Sequence, residues 1–138
     1  MEQRGERDEY GRMPGTGGCM TLAPSRSSGL EGGCLCGRCR FTIYRIDEIV
    51  ECHCLRCRRL SGGAPVTWVC MSRDGISWTR APSIWLSSTI ADRGFCPTCG
   101  CMLWMAYRFN SEVAVPLGSL DERGDLASER RIHAQEAE

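Results

Sequence analysis

Three short stretches of this chain place cysteines at the spacing of metal ligands: Cys34-Leu35-Cys36-Gly37, Cys52-His53-Cys54-Leu55-Arg56-Cys57 and Cys96-Pro97-Thr98-Cys99-Gly100. In the last, a zinc-knuckle sequence, two thiolates three apart grip one ion. The backbone N–H groups of the turn point at the sulfurs, and Gly100 permits the left-handed conformation such a turn needs. A knuckle supplies two ligands and a closed structural zinc takes four. Cys34 and Cys36 form a second pair of the same kind, and joining the pairs ties the first strand to a hairpin some 60 residues later. Structural zinc contributes on the order of 10–16 kcal/mol in small peptides, more than most whole domains are stable by. That site is read as structural.

The middle stretch differs. Cys52, Cys54 and Cys57 are three thiols within six residues. Three protein ligands with a fourth position free is the pattern of catalytic zinc, where water or substrate completes the tetrahedron. The competing reading is a second closed site whose fourth ligand is Cys39, Cys70, Cys101 or His53. His53 lies between two ligands on an extended segment, which turns its ring away from the metal. Cys70, inside an apolar run, reads as a buried small hydrophobe. Cys101 follows the knuckle and is expected to pack or hydrogen-bond beside the structural ion.

The chain has 138 residues and 11 cysteines, an odd number, and its opening residues are no secretory signal. With the tight C-x-C and C-x-x-C spacings, these features favour zinc over disulfides. Thiolates that must stay reduced point to the cytoplasm. Seventeen basic residues, all Arg, balance 17 acidic ones, so no overall field draws nucleic acid or an anionic membrane surface. No apolar run approaches the roughly 20 residues of a membrane span. Arg38, Arg40, Arg56, Arg58, Arg59 and Arg73 flank the middle cysteines. They read as a solvated basic rim, or as a docking surface for substrate carboxylates. Trp68, Trp78, Trp85 and Trp104 read as core.

Positioning falls to short strands. Residues 1–29 are rich in Gly, Ser, Pro and charge and read as a disordered leader that contains Cys19. From Gly32 onward, apolar stretches of four to six residues are bounded by turn residues: Phe41 to Ile43, Val66 to Met71, Ile76 to Trp78, Ile84 to Leu86, Met102 to Tyr107 and Val113 to Leu117. Such runs are strand signals. Only Leu55 to Leu60 looks helical, closed by Ser61-Gly62-Gly63. Residues 121–138 are acidic, helix-compatible and too poor in apolar surface to dock firmly. The domain, residues 30–120, is mainly β.

The order Gly32-Gly33-Cys34-Leu35-Cys36-Gly37, Cys52-His53-Cys54-Leu55-Arg56-Cys57-Arg58 with Ser61-Gly62, then Arg93-Gly94-Phe95-Cys96-Pro97-Thr98-Cys99-Gly100 resembles the glutathione-dependent formaldehyde-activating enzyme family. The centromere protein V relatives belong to the same family. The resemblance covers roughly residues 30–120, with seven cysteines in register. It implies a zinc-stabilised Mss4-like fold of coiled antiparallel sheets. It also implies a structural zinc at Cys34, Cys36, Cys96 and Cys99 and a catalytic zinc at Cys52, Cys54 and Cys57, two Zn2+ per chain. The founding activity joins formaldehyde to glutathione to give S-hydroxymethylglutathione and is classed as a carbon–sulfur lyase in the reverse sense. The resemblance therefore implies a lyase-type enzyme whose partners are a thiol such as glutathione and an aldehyde.

The chain departs from the family pattern at Arg38-Cys39, where small or apolar residues are usual, and at Cys101, where Ser or Thr is common. Family members continue past Leu117 to Asp121 into a His-containing stretch and a Pro-Trp segment; here Arg131-Ile132-His133 begins that stretch, and the tail reads as cut short. Two other functions compete with the enzyme: a non-catalytic zinc-stabilised binding module, and a metal- or redox-responsive protein, since an open three-thiolate site is oxidisable.

Overall fold

The computed structural model describes residues 28–136; most of the expected leader, including Cys19, lies outside them. Alternating apolar and polar residues build ten short strands: β1 (Leu30–Gly33), β2 (Arg40–Ile43), β3 (Glu48–Cys52), β4 (Val66–Ser72), β5 (Ile76–Arg80), β6 (Ser83–Leu86), β7 (Ala91–Phe95), β8 (Met102–Tyr107), β9 (Glu112–Pro116) and β10 (Arg130–Ile132). One α-helix, α1 (Leu55–Ser61), follows β3. The strands form a three-stranded sheet in the order β1-β2-β5 and a seven-stranded sheet in the order β10-β3-β4-β9-β8-β7-β6. The fold is mainly β and Mss4-like, as read from the sequence. No helix among the described residues is long and apolar enough to cross a membrane.

Successive residues of a strand point to opposite faces, and β4 uses both. Val69 and Met71 enter one apolar cluster with Phe41, Ile43, Ile76, Leu103, Val113 and Val115, which fills the space against the three-stranded sheet. Val66, Trp68 and Cys70 enter a second cluster with Val50, Met105 and Ala114 on the other face. Cys34 and Cys96 belong to the first cluster, and Cys52 and Cys57 to the second. The seven-stranded sheet thus separates the two cysteine groups.

The six expected strand regions appear as β2, β4, β5, β6, β8 and β9. The segment after residue 121 does not behave as the expected polar, weakly docked helix. Its Arg130–Ile132 stretch pairs in parallel with β3, Ile132 opposite Cys52. The amide of Glu129 donates to the Ile49 carbonyl (2.8 Å) and that of His53 to the Ile132 carbonyl (3.1 Å). Arg130 grips the Glu48 carboxylate through two hydrogen bonds of 2.9 and 2.7 Å. An unpaired strand edge offers backbone groups to any extended partner, so little side-chain hydrophobicity is needed. Leu126 and Ile132 do add apolar contact, one to each core cluster. Trp85 also departs from the core reading, being 42% exposed on edge strand β6.

Candidate metal centres

The four sulfurs of Cys34, Cys36, Cys96 and Cys99 all lie within 4.8 Å of one another. Cys34 and Cys36 are 3.5 Å apart at Sγ and Cys36 and Cys96 are 3.7 Å apart. Sulfurs placed tetrahedrally at zinc–sulfur bonds of about 2.3 Å stand about 3.8 Å from each other, so the donor set fits a zinc ion in both chemistry and spacing. Two turns of matching design present it. The Gly37 amide donates to the Cys34 carbonyl (3.1 Å) and the Gly100 amide to the Cys96 carbonyl (2.8 Å). Both glycines have φ of +78°, which an L side chain rarely adopts. Each turn is then closed by a cysteine: Cys34 N–H donates to the Cys39 carbonyl, and Cys96 N–H to the Cys101 carbonyl.

Amide donors surround these sulfurs. Cys39 N–H donates to Cys34 Sγ at 3.2 Å, and Leu35 N–H to Cys101 Sγ at 3.3 Å. The Cys99 thiol is opposed by burial, yet amide donors from Cys101 and Cys36 lower it to about 6. Cys101 therefore sits beside the tetrad as expected. Cys39, fully buried, is raised to about 12, first by burial and then by Cys96.

Cys52, Cys54 and Cys57 bring three sulfurs within 4.8 Å of one another. Cys52 ends β3, Cys54 caps α1, and Cys57 lies in its first turn, where its amide donates to Cys54 Sγ (3.3 Å). The helix closes at Gly62, whose amide donates to the Arg58 carbonyl. None of the four residues considered as a fourth ligand joins this group. Cys39 and Cys101 stand at the tetrad, and Cys70 lies in the β4 core. His53 directs Nε2 to Glu51 Oε1 at 2.8 Å. Three soft donors with one position left over fit a zinc ion of the open kind.

The trio's protons are unevenly held. Interaction with Cys52 lowers the Cys57 thiol to about 5; burial opposes, while Cys54, the Trp68 indole and the Arg93 charge assist. Cys52 is pushed strongly upward by Cys57, then by burial.

Trp68 and Arg93 reach this site from β4 and β7, and no spacing in the sequence pointed to them. Trp68 is 1% exposed and packs in the trio's own cluster. Arg93 is the one charged side chain buried among the described residues. Its signal was an arginine at an inward position of a strand, two residues after buried Ala91. The arginine rim expected around the trio is scattered instead. Arg40 pairs with Asp121, Arg38 reaches Thr98 beside the tetrad, and Arg73 lies over the Trp104 ring. Only Arg56, Arg58 and Arg59 of α1 stay with the trio.

Comparison with known proteins agrees with this geometry. The family model for the glutathione-dependent formaldehyde-activating enzyme matches residues 29–136, and the chain belongs to that family. A Schizosaccharomyces pombe protein named as an uncharacterized lyase is 31% identical over 78 residues. That match covers 56% of this chain and 57% of the relative, so the chain matches little more than half of the relative's length. A crystal structure of a Rhodobacter sphaeroides protein, a structural genomics target, superposes with a TM-score of 0.60 at 22% identity. It covers 75% of this chain and 100% of that one, a likeness of fold.

Proposed function

We propose that this protein is a cytoplasmic zinc-dependent lyase-type enzyme that acts on a thiol–aldehyde adduct, with glutathione and formaldehyde as the substrates the family name suggests. The observation that carries this reading is the trio of Cys52, Cys54 and Cys57, three sulfurs within 4.8 Å joined by no fourth His, Cys, Asp or Glu ligand among the described residues. The tetrad of Cys34, Cys36, Cys96 and Cys99 holds a structural zinc in this account, and the trio holds the working one. Cys52, Cys54 and Cys57 would hold a zinc ion, which would supply Lewis-acid chemistry able to lower the pKa of a thiol or to polarise a carbonyl.

The chain's own residues do the remaining work. Cys54 and Cys57, tied through the α1 cap, fix two donors on one helical turn, and Cys52 fixes the third at the end of β3. Trp68 and Val66 pack with Cys52 and Cys57 in one buried apolar cluster, a setting that strengthens charge interactions at those two sulfurs. In the synthetic direction the substrate sulfur bonds to the carbonyl carbon, and the proton lost from sulfur ends on the former carbonyl oxygen. Holding both reactants at one centre accelerates an addition that also proceeds unaided.

The test is the rate at which zinc-loaded protein consumes glutathione plus formaldehyde. Acceleration over the uncatalysed rate, lost in Cys54→Ser, supports the reading. No acceleration with this or other thiol–aldehyde pairs sinks it and favours a binding module.

A further inference from the structure

Arg93 is 5% exposed, and a guanidinium stays protonated however deeply it lies. A buried cation needs a counter-charge, yet none of the ion pairs among the described residues includes Arg93. Its Nε and Nη1 are buried and donate to no group among the described residues. Two things face it. Nη2 stands 4.0 Å from Cys57 Sγ, and the guanidinium carbon lies 5.9 Å from the centre of the Trp68 ring. The ring face offers a weak attraction to a cation but no negative charge. Among the described residues in contact with Arg93, the sulfur trio is the group that can supply it.

Three thiolates around a divalent ion leave a net charge of minus one. We propose that Arg93 is the built-in counter-cation of the Cys52–Cys54–Cys57 metal centre, a positioning residue that neutralises its surplus negative charge through Cys57. This inference rests on the reading that the trio holds a metal. It explains why a buried arginine sits where the sequence of a strand would place an apolar residue. It also marks a contrast with the tetrad, whose sulfurs receive backbone amides from Cys39, Thr98, Cys99, Cys101 and Cys36. The tetrad spreads its charge over amides, whereas the trio, with fewer of them, sets one fixed cation against it. A neutralised site accepts an anionic fourth ligand, such as a substrate thiolate, without accumulating two negative charges.

The experiment withdraws zinc with a chromogenic chelator from the wild-type protein and from Arg93→Met, Arg93→Gln and Arg93→Lys, with Cys54→Ser identifying the release phase that belongs to the trio. The Met and Gln variants should release the trio's zinc about 10–100-fold more readily, the range typical when a partner of a metal ligand is removed. Lys, which restores the charge without the fork, should fall between them and wild type. The tetrad phase should not move in any of them. Neutral variants that hold the trio's zinc as tightly as wild type overturn the inference. So does loss from both sites together, which marks a packing role. If Arg93→Met does not fold, the Gln and Lys variants, close in size and different in charge, carry the comparison. A wild-type protein with no trio phase overturns the metal reading itself, and this inference with it.

Discussion

The tetrad and the trio gather the same side chain in different ways. The tetrad joins two turns 60 residues apart, so a metal there closes a long loop and welds β1 and β2 to the hairpin between β7 and β8. The trio spans six residues at a single strand–helix junction, where closing the loop fixes little chain. One group is saturated with four sulfurs and ringed by amides; the other stops at three sulfurs and has a buried cation at its side. In the proposed reading, ligands gathered from afar would hold the fold together, and ligands gathered locally would leave a coordination position free for chemistry.

The sharpest break in that comparison is Cys99→Ser. A structural zinc contributes on the order of 10–16 kcal/mol against a domain stability of about 5–15 kcal/mol. This variant should therefore show no cooperative thermal transition. A folded Cys99→Ser protein with an ordinary melt would remove the tetrad's claim to hold the fold. Trp68→Ala comes next: truncating a buried Trp costs about 3–5 kcal/mol. Its melting temperature should fall clearly, and the trio should lose zinc more readily than the tetrad, because the indole packs in the trio's cluster. Cys54→Ser should cost less stability than either while removing one equivalent of zinc and reducing turnover to the uncatalysed level. A variant with that mutation, full metal content and full activity would contradict the division of labour.

The smallest effect expected is at the β10 edge. Arg130, hydrogen-bonded to Glu48, holds that carboxyl below its ordinary range. A lowered carboxyl contributes stability that is fully present above its unfolded pKa and lost as pH falls through the lowered folded value. The pair is half in solvent, so Arg130→Ala should change the melt little at neutral pH. The difference from wild type should vanish at acid pH, where Glu48 is protonated in both. A difference that grows on acidification would contradict the pairing.

Much of this was legible in the sequence because its cause is local. A knuckle is decided by Cys96, Cys99 and Gly100 alone, and the α1 turn by Leu55 to Gly62, so short-range spacing suffices. Strands such as β4, with Trp68 and Val69 pointing to opposite faces, announce themselves by composition. β10 does not, because Arg-Arg-Ile owes its conformation to the open edge of β3 rather than to its own side chains. Trp68 and Arg93 were equally hidden as site residues: they meet Cys57 only after β4 and β7 take their places in the sheet. Of the four fourth-ligand candidates, Cys101, Cys70 and His53 lie where their local sequence setting indicated, beside the tetrad, in the β4 core and turned to Glu51, while Cys39 closes the first turn of the tetrad.

The most direct test of two unlike sulfur sites is zinc content combined with zinc X-ray absorption on wild type and on Cys54→Ser. The account predicts two zinc ions per wild-type chain with an average sulfur coordination between three and four. It predicts one ion with four sulfurs in the variant. A single zinc in wild type, or four sulfurs at both sites, would contradict it.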